Sequence, residues 1–282
     1  MEAPFSAYVL VTVRNRRAIT ERFIDSLIAQ TDQNFQLVLV DDGSTDGTSD
    51  MVRARLASAV VIPGDGSLWW AGGLQRAVDW LASRQVAGKS PVLIVNDDTE
   101  LPGTFLEAGL AGLASHPNSL LLAQLCDEPG SAPCAVGAHI DWARLKVTDA
   151  YSIDDANCLS TRGLFLHVDD LIGLGGFRPR LLPHYLSDYE FTIRARRAGM
   201  SFVTDPAVRL GHVATTNRPS SGRRARLRFL LSRRSPDNPV VWTMFLLLAC
   251  PRRYVLLNIA RVWLLFARSV ARAVVPRTAA SS

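Results

Sequence analysis

Four short runs rich in β-branched residues, Tyr8–Val13, Gln36–Val40, Ser58–Ile62 and Val92–Val95, alternate with helical segments at Glu21–Ala29, Ser49–Leu56 and Leu74–Ser83. Strands this apolar, joined through helices, predict a mostly parallel sheet with helices on both faces, an α/β domain. Each run ends in a polar cluster: Arg14-Asn15-Arg16, Asp41-Asp42-Gly43-Ser44, Gly64-Asp65-Gly66 and Asn96-Asp97-Asp98. Open α/β sheets bind ligands at the carboxyl ends of their strands, so these clusters are the first candidates for a site.

Further along, Leu120–Leu125 and Leu164–Val168 read as shorter strands that continue the sheet, Tyr189–Ala198 as a helix, Phe202–Thr204 as a strand and Gly211-His212 as the start of a loop. After Arg218-Pro219-Ser220-Ser221 the composition shifts, which divides the chain into a body, residues 1–221, and a tail, residues 222–282. The tail holds twelve arginines against Asp237 alone, near +11, and leaves the body near −6. A nucleic-acid reader spreads its positive charge over a recognition face, so this distribution argues against that class. It suits a body resting on an anionic membrane surface. Val240–Cys250 is too short to span a bilayer as a helix, and Arg261, Arg268 and Arg272 interrupt Tyr254–Val275, which favours in-plane amphipathic helices over a spanning one. A helical cap on the body or a homo-oligomer interface would use the same pattern. The first residues carry no basic segment ahead of an apolar run, so the expected location is the cytoplasm, at the inner face of the cell membrane. Cys126, Cys134, Cys158 and Cys250 show no paired spacing and read as buried thiols in a reducing compartment.

Five features can carry chemistry. Asp42, in a loop with Gly43 and Gly47, can accept hydrogen bonds from a base or ribose, though a helix-capping turn uses the same residues. Asp97 and Asp98 are adjacent carboxylates at a strand end, which invite Mg²⁺ or Mn²⁺, or else simply face solvent. Asp188 lies at a helix start, where it either caps the helix or serves as a general base from a rigid element. Trp69 and Trp70, between Gly66 and Gly72, can wall a sugar or a base, or anchor the core. His212 follows the last body strand as a possible metal ligand.

In order and spacing, Val40-Asp41-Asp42-Gly43-Ser44-Thr45-Asp46-Gly47-Thr48, Asn96-Asp97-Asp98, Gly175-Gly176-Phe177 and Ser187-Asp188-Tyr189-Glu190-Phe191 with Arg194 resemble an inverting glycosyltransferase of family 2, over residues 7–215. The resemblance implies a GT-A fold, a nucleoside-diphosphate sugar donor and a divalent metal. It implies Asp188 as the base, and Asp98 with His212 at the metal. The donor would be held by Val13, Arg14, Asp42, Gly66, Trp69, Trp70, Arg76, Asn96 and Asp97, and the acceptor by Arg162, Gly163, Tyr189 and Glu190. Asn96 and Ser187 stand where the family usually has acids. The segment Gly64–Gly73 with Asn96–Thr99 is most similar to the rhamnosyl- and galactofuranosyltransferase branch, which implies a dTDP- or UDP-sugar and a lipid-linked cell-envelope glycan as acceptor. A nucleotidyltransferase would need a Gly- and Lys-bearing phosphate loop that Tyr8–Arg17 lacks. A catalytically silent membrane-attached scaffold is the third reading.

Overall fold

The computed structural model describes residues 5–126, 134–212, 232–233 and 235–274; the basic segment Arg223–Arg234 falls almost wholly outside them. Its centre is a seven-stranded sheet. The first strands, β1 (Ala7–Val13), β2 (Phe35–Asp41), β3 (Val60–Pro63) and β4 (Pro91–Ile94), run parallel in the order β3-β2-β1-β4. All seven residues of β2 are buried, because both faces of the sheet are covered. Alternation along the strands assigns the layers. Helix α3 (Trp69–Ser83) packs Leu74, Ala77 and Leu81 on the face bearing Tyr8, Leu10, Val38 and Val40. Helix α1 (Arg17–Ile28) packs Phe23, Ile24 and Leu27 on the face bearing Val9, Val11, Leu37 and Leu39. A short α2 (Thr48–Arg55) leads into β3.

The expected strand Leu120–Leu125 divides at Ala123. Its first part is β6 (Ser119–Leu122), in the main sheet after α4 (Phe105–Ser115); its second part is β7 (Gln124–Cys126), in a three-stranded sheet with β5 (Thr99–Glu100) and β12 (Arg209–His212). The Ala123 amide donates to Gly163 O (2.9 Å), where the chain changes sheets. Strand β10 (Leu164–His167) lies between β4 and β6, antiparallel to both, and β11 (Ser201–Val203) forms the far edge. His212 therefore lies in β12 rather than opening a loop, because β7 and β5 supply its strand with partners on both sides. A hairpin of β8 (Gly137–Asp141) and β9 (Lys146–Ala150) and the helices α5 (Val168–Gly173) and α6 (Ser187–Arg197) complete the body.

Two expectations about the thiols and the tail change here. Cys126 and Cys134 form a disulfide, while Cys158 and Cys250 are free and buried. The pairing escapes a reading of spacing because β7 and the bridge Leu125–Ala135 bring the two cysteines together in space. In the tail, α7 (Pro239–Ala249) buries Val241, Phe245 and Ala249 against Ala138, Ile140, Leu182 and Ile193, so it is packed into the body. Asn238 caps it, accepting from the Val240 and Val241 amides at 2.9 and 3.1 Å. Helix α8 (Arg252–Val274) follows, and its Arg252–Ala271 stretch is long and apolar enough to cross a membrane by length and composition. Its inner face is nonetheless tied to the body: buried Asn258 donates to Trp142 O (2.8 Å), and Arg261 donates to Ala143 O. Its outer face exposes Leu256, Leu257, Trp263, Leu264 and Leu265.

Candidate active site

The carboxyl ends of β1 and β4 open onto a cavity of about 550 Å³, in the range of small-molecule sites. Seven of the expected residues line it: Trp70, Asn96, Asp97, Asp98, Arg162, Asp188 and Tyr189. Thr12, Arg16, Asp149, Thr161, His184 and Tyr185 line it as well, none of them a candidate site residue above. Of these, Arg16, the last residue of the polar cluster after β1, and Thr161, beside Arg162, carry a signal in the sequence.

The acid pair follows β4 directly. Asp97 and Asp98 are both buried, and the Arg16 guanidinium lies across them, with Nε 3.2 Å from Asp97 Oδ2 and Nη2 3.2 Å from Asp98 Oδ2. Thr20 Oγ1 also donates to Asp97 Oδ2 (2.9 Å). Burial pushes the Asp97 carboxyl up to about 6; Arg16 and Thr20 pull against that and the Asp98 charge adds to it. Asp98 Oδ1 is buried without a hydrogen-bond partner. Two adjacent carboxylates with one unsatisfied oxygen fit a hard divalent cation. Among the described residues no three His, Cys, Asp or Glu side chains gather as a metal set, so phosphate oxygens and water would have to complete it. His212 enters through its backbone, which pairs with Thr99 beside Asp98; its side chain lies outside what is described.

Asn96 Oδ1 accepts from Trp70 Nε1 (3.1 Å), and Phe177 meets the Trp70 ring edge-on at 5.3 Å. One edge of the Trp70 indole is thereby fixed in the cavity wall. Phe177 also stacks on Phe191 of α6 at 5.0 Å, linking the wall to the helix that carries Asp188. Asp188 is half-buried, and burial raises its carboxyl to about 6, opposed by the Tyr189 amide and by the Arg162 charge. An acid tuned toward neutrality and facing a cavity is suited to general-base work. A solvated aspartate has a value near 3.9; desolvation accounts for the difference. Burial also raises the Tyr189 hydroxyl, so that group stays protonated.

Other expected residues stand apart from the cavity. Asp42 is buried and accepts from the amides of Gly66 (2.8 Å), Leu68 (3.1 Å) and Trp69 (3.0 Å). Arg14 reaches its Oδ2 at 4.0 Å and donates to Gly66 O. Gly66 takes φ +86, and a Cβ on Gly43 would lie 3.0 Å from the Gly66 nitrogen, so at these two glycines the loops pass backbone against backbone. Trp69 sits at φ +58, a strained conformation for a bulky residue, held there by its bond to Asp42. Asp42, Arg14, Gly66 and Trp69 thus form a knot beside the cavity, and Val13, whose carbonyl accepts from the Asp42 amide (2.9 Å), lies under it. Arg76 is exposed on α3 away from the lining. Gly163 is buried at the sheet junction. Glu190 is taken up by Arg194 (3.0 and 2.9 Å) and Arg178 (3.6 Å), an internal ion pair that fastens the Leu174–Gly176 turn rather than an acceptor contact.

Residues 8–129 match the sequence family described as Glycosyl transferase family 2. The chain shares its fold with mannosyltransferase PcManGT from Pyrobaculum calidifontis in complex with GDP-Man and Mn²⁺, at TM-score 0.61 and 18% identity over 99% of this chain and 78% of that one. It is similarly related to TarS 1-349 of S. aureus in complex with UDP-GlcNAc, at 0.62 and 17% over 95% and 90%. GalNAc-T7 with UDP, GalNAc and Mn²⁺ matches at 0.59 and 14% over 82% of this chain, which spans 48% of its length. No curated protein sequence matches the chain.

Proposed function

We propose that this protein transfers a sugar from a dTDP- or UDP-sugar to a hydroxyl of a lipid-linked cell-envelope glycan, with inversion, because residues 8–129 match glycosyl transferase family 2 and the chain takes a GT-A fold. Rhamnose or galactofuranose is the favoured sugar, on the resemblance of the Gly64–Gly73 segment. The observation that carries the reading is the pairing, in one cavity, of the Asp97-Asp98 cluster after β4 with Asp188 at the head of α6.

The chemistry divides between those two groups. A divalent cation bound there with the diphosphate would offset negative charge on the leaving group. Asp98, with Asp97 beside it, would hold that cation, and Arg16 adds a positive charge to the same wall. Asp188 accepts the proton of the acceptor hydroxyl as that oxygen attacks the anomeric carbon from the opposite face. Tyr185, exposed at the cavity edge with His184 packed against it at 4.7 Å, and Tyr189 offer aromatic surface to an acceptor. The exposed apolar face of α8 and the arginines of the tail support a peripheral seat on the inner face of the cell membrane, where a lipid-linked acceptor is within reach.

The test pairs donor binding with turnover. Thermal midpoints are measured with UDP, dTDP and GDP, with and without Mn²⁺, since a ligand that binds the native state alone raises the midpoint. Sugar transfer to a polyprenyl-linked glycan is then followed by mass spectrometry. A midpoint shift with one nucleotide and a product of matching mass are expected. Folded protein that responds to no nucleotide would move the assignment to the scaffold reading.

A further inference from the structure

Buried polar side-chain atoms without a hydrogen-bond partner are rare in folded proteins and call for an explanation. Four occur among the described residues, and two of them, Arg16 Nε and Asp98 Oδ1, belong to one cluster at the cavity wall. Arg16 Nε approaches Asp97 closely without hydrogen-bond geometry, and Asp98 Oδ2 is occupied by Arg16 Nη2 while Oδ1 is sealed. While Arg16 stays in place, a second cation at Asp98 meets one oxygen already paired with a guanidinium and one buried from solvent. The Arg16 side chain is also the accessible member of the cluster, 30% exposed against 3% for Asp97 and 11% for Asp98. It is therefore the member of the cluster with the most room to turn into the cavity. A guanidinium that leaves two carboxylates needs another anion, and a diphosphate offers the fork-like oxygen pair that arginine binds best.

We propose that Arg16 is an internal counter-cation for Asp97 and Asp98 that the donor diphosphate draws off, so that divalent-cation binding at Asp98 is coupled to nucleotide binding. This rests on the donor reading above and goes beyond it, because it assigns a residue and an order of loading. In the donor-free protein Arg16 neutralises the acids and keeps stray cations out. With the diphosphate present, Arg16 pairs with phosphate oxygens and Asp98 becomes free for the metal. Coupling of this kind is reciprocal: the metal tightens nucleotide binding by the same factor as the nucleotide tightens metal binding. Phosphate oxygens bound to the metal would produce some coupling by themselves, so the diagnostic quantity is metal affinity without nucleotide.

Mn²⁺ binding is titrated by electron paramagnetic resonance of the free ion for wild type, Arg16→Gln, Arg16→Lys and Asp98→Asn, with and without UDP or dTDP, after circular dichroism confirms that each is folded. The expected result is that Arg16→Gln binds Mn²⁺ without nucleotide about tenfold or more tighter than wild type, while the enhancement by nucleotide shrinks. Arg16→Lys, which keeps the charge and loses the fork, falls between the two. Asp98→Asn loses binding under every condition. Nucleotide-free affinity in Arg16→Gln equal to or weaker than wild type overturns the proposal, as does Mn²⁺ binding that survives Asp98→Asn. If nucleotide raises the thermal midpoint but no protein takes up Mn²⁺, this inference falls while the donor reading stands. If no nucleotide binds, the donor reading falls, and the nucleotide-free comparison of Arg16→Gln with wild type still decides whether Arg16 shields the acids.

Discussion

Asp188 joins two demands that oppose each other: the carboxylate must be charged to accept a proton, and its surroundings disfavour that charge. Transfer should therefore rise with pH through about 6, and kcat/KM measured from pH 4.5 to 8 should show that limb. Asp188→Asn should keep the donor-dependent thermal shift and lose transfer by a factor of about 100 or more; normal turnover in that variant would remove Asp188 from the chemistry. Stability should move the other way. A carboxyl whose folded value is raised is a stabilising group below its unfolded value near 3.9 and loses that contribution as pH climbs through about 6. At pH 7 Asp188→Asn should then be more stable than wild type, by about 3 kcal/mol at most, because water in the cavity lessens the penalty. Asp42 behaves differently. Its three amide donors make Asp42→Ala a structural lesion of about 2–4 kcal/mol, visible in urea unfolding, with Trp69 released from its strained backbone. The acids were legible one by one in the sequence, because polar residues at strand ends have few other reasons to cluster. What they do was not: Asp42 and Glu190 differ from Asp188 in their partners, the amides of Gly66–Trp69 for one, and for the other Arg178 from outside the helix with Arg194 one turn along it.

Elements show the same division. Strands β1 to β4 and the helices between them were readable because each carries its own periodicity and its packing partner lies close in sequence. A continuous apolar run such as Leu120–Leu125 says nothing about where it changes sheets, and the direction of β10 depends on neighbours some 70 and 40 residues away. The hairpin β8–β9 escaped notice because it is short and its β9 strand is mostly exposed. Helix packing yields two predictions. The α3 backbone approaches β1 at Gly73, where a Cβ would lie 2.1 Å from Thr12 Oγ1. Gly73→Ala should lower stability by about 1–3 kcal/mol and disturb the cavity through Thr12, read as a joint loss of thermal midpoint and nucleotide response. Phe245 is fully buried on α7 between Trp142, stacked at 5.9 Å, and Trp242, edge-on at 5.8 Å. Phe245→Ala should destabilise the whole protein by about 3–5 kcal/mol rather than loosen the tail alone, in a single urea transition. A body boundary drawn at residue 221 cuts through that core.

At the scale of the molecule, the exposed apolar side chains gather most densely on α8, at Leu256, Leu257, Trp263, Leu264 and Leu265. Truncation after residue 251 removes α8 but leaves α7 in the core, so the shortened protein should fold and keep its donor-dependent thermal shift. In flotation with vesicles containing anionic lipid, the full chain should rise with the lipid and the truncated one should stay behind, with binding weakened by salt. Equal flotation of both would place the membrane contact elsewhere.

The position of β10 bears on how the protein is made. Residues 7–95 supply four adjacent parallel strands, yet the strand that covers the open side of β4 is not synthesised until residue 167. During translation the nascent sheet would present β4 as a bare apolar edge for about 70 residues of elongation, several seconds at ordinary ribosome speed. A ribosome-stalled chain ending between β4 and β10 should accordingly recruit chaperones, and one extended past α5 should let them go.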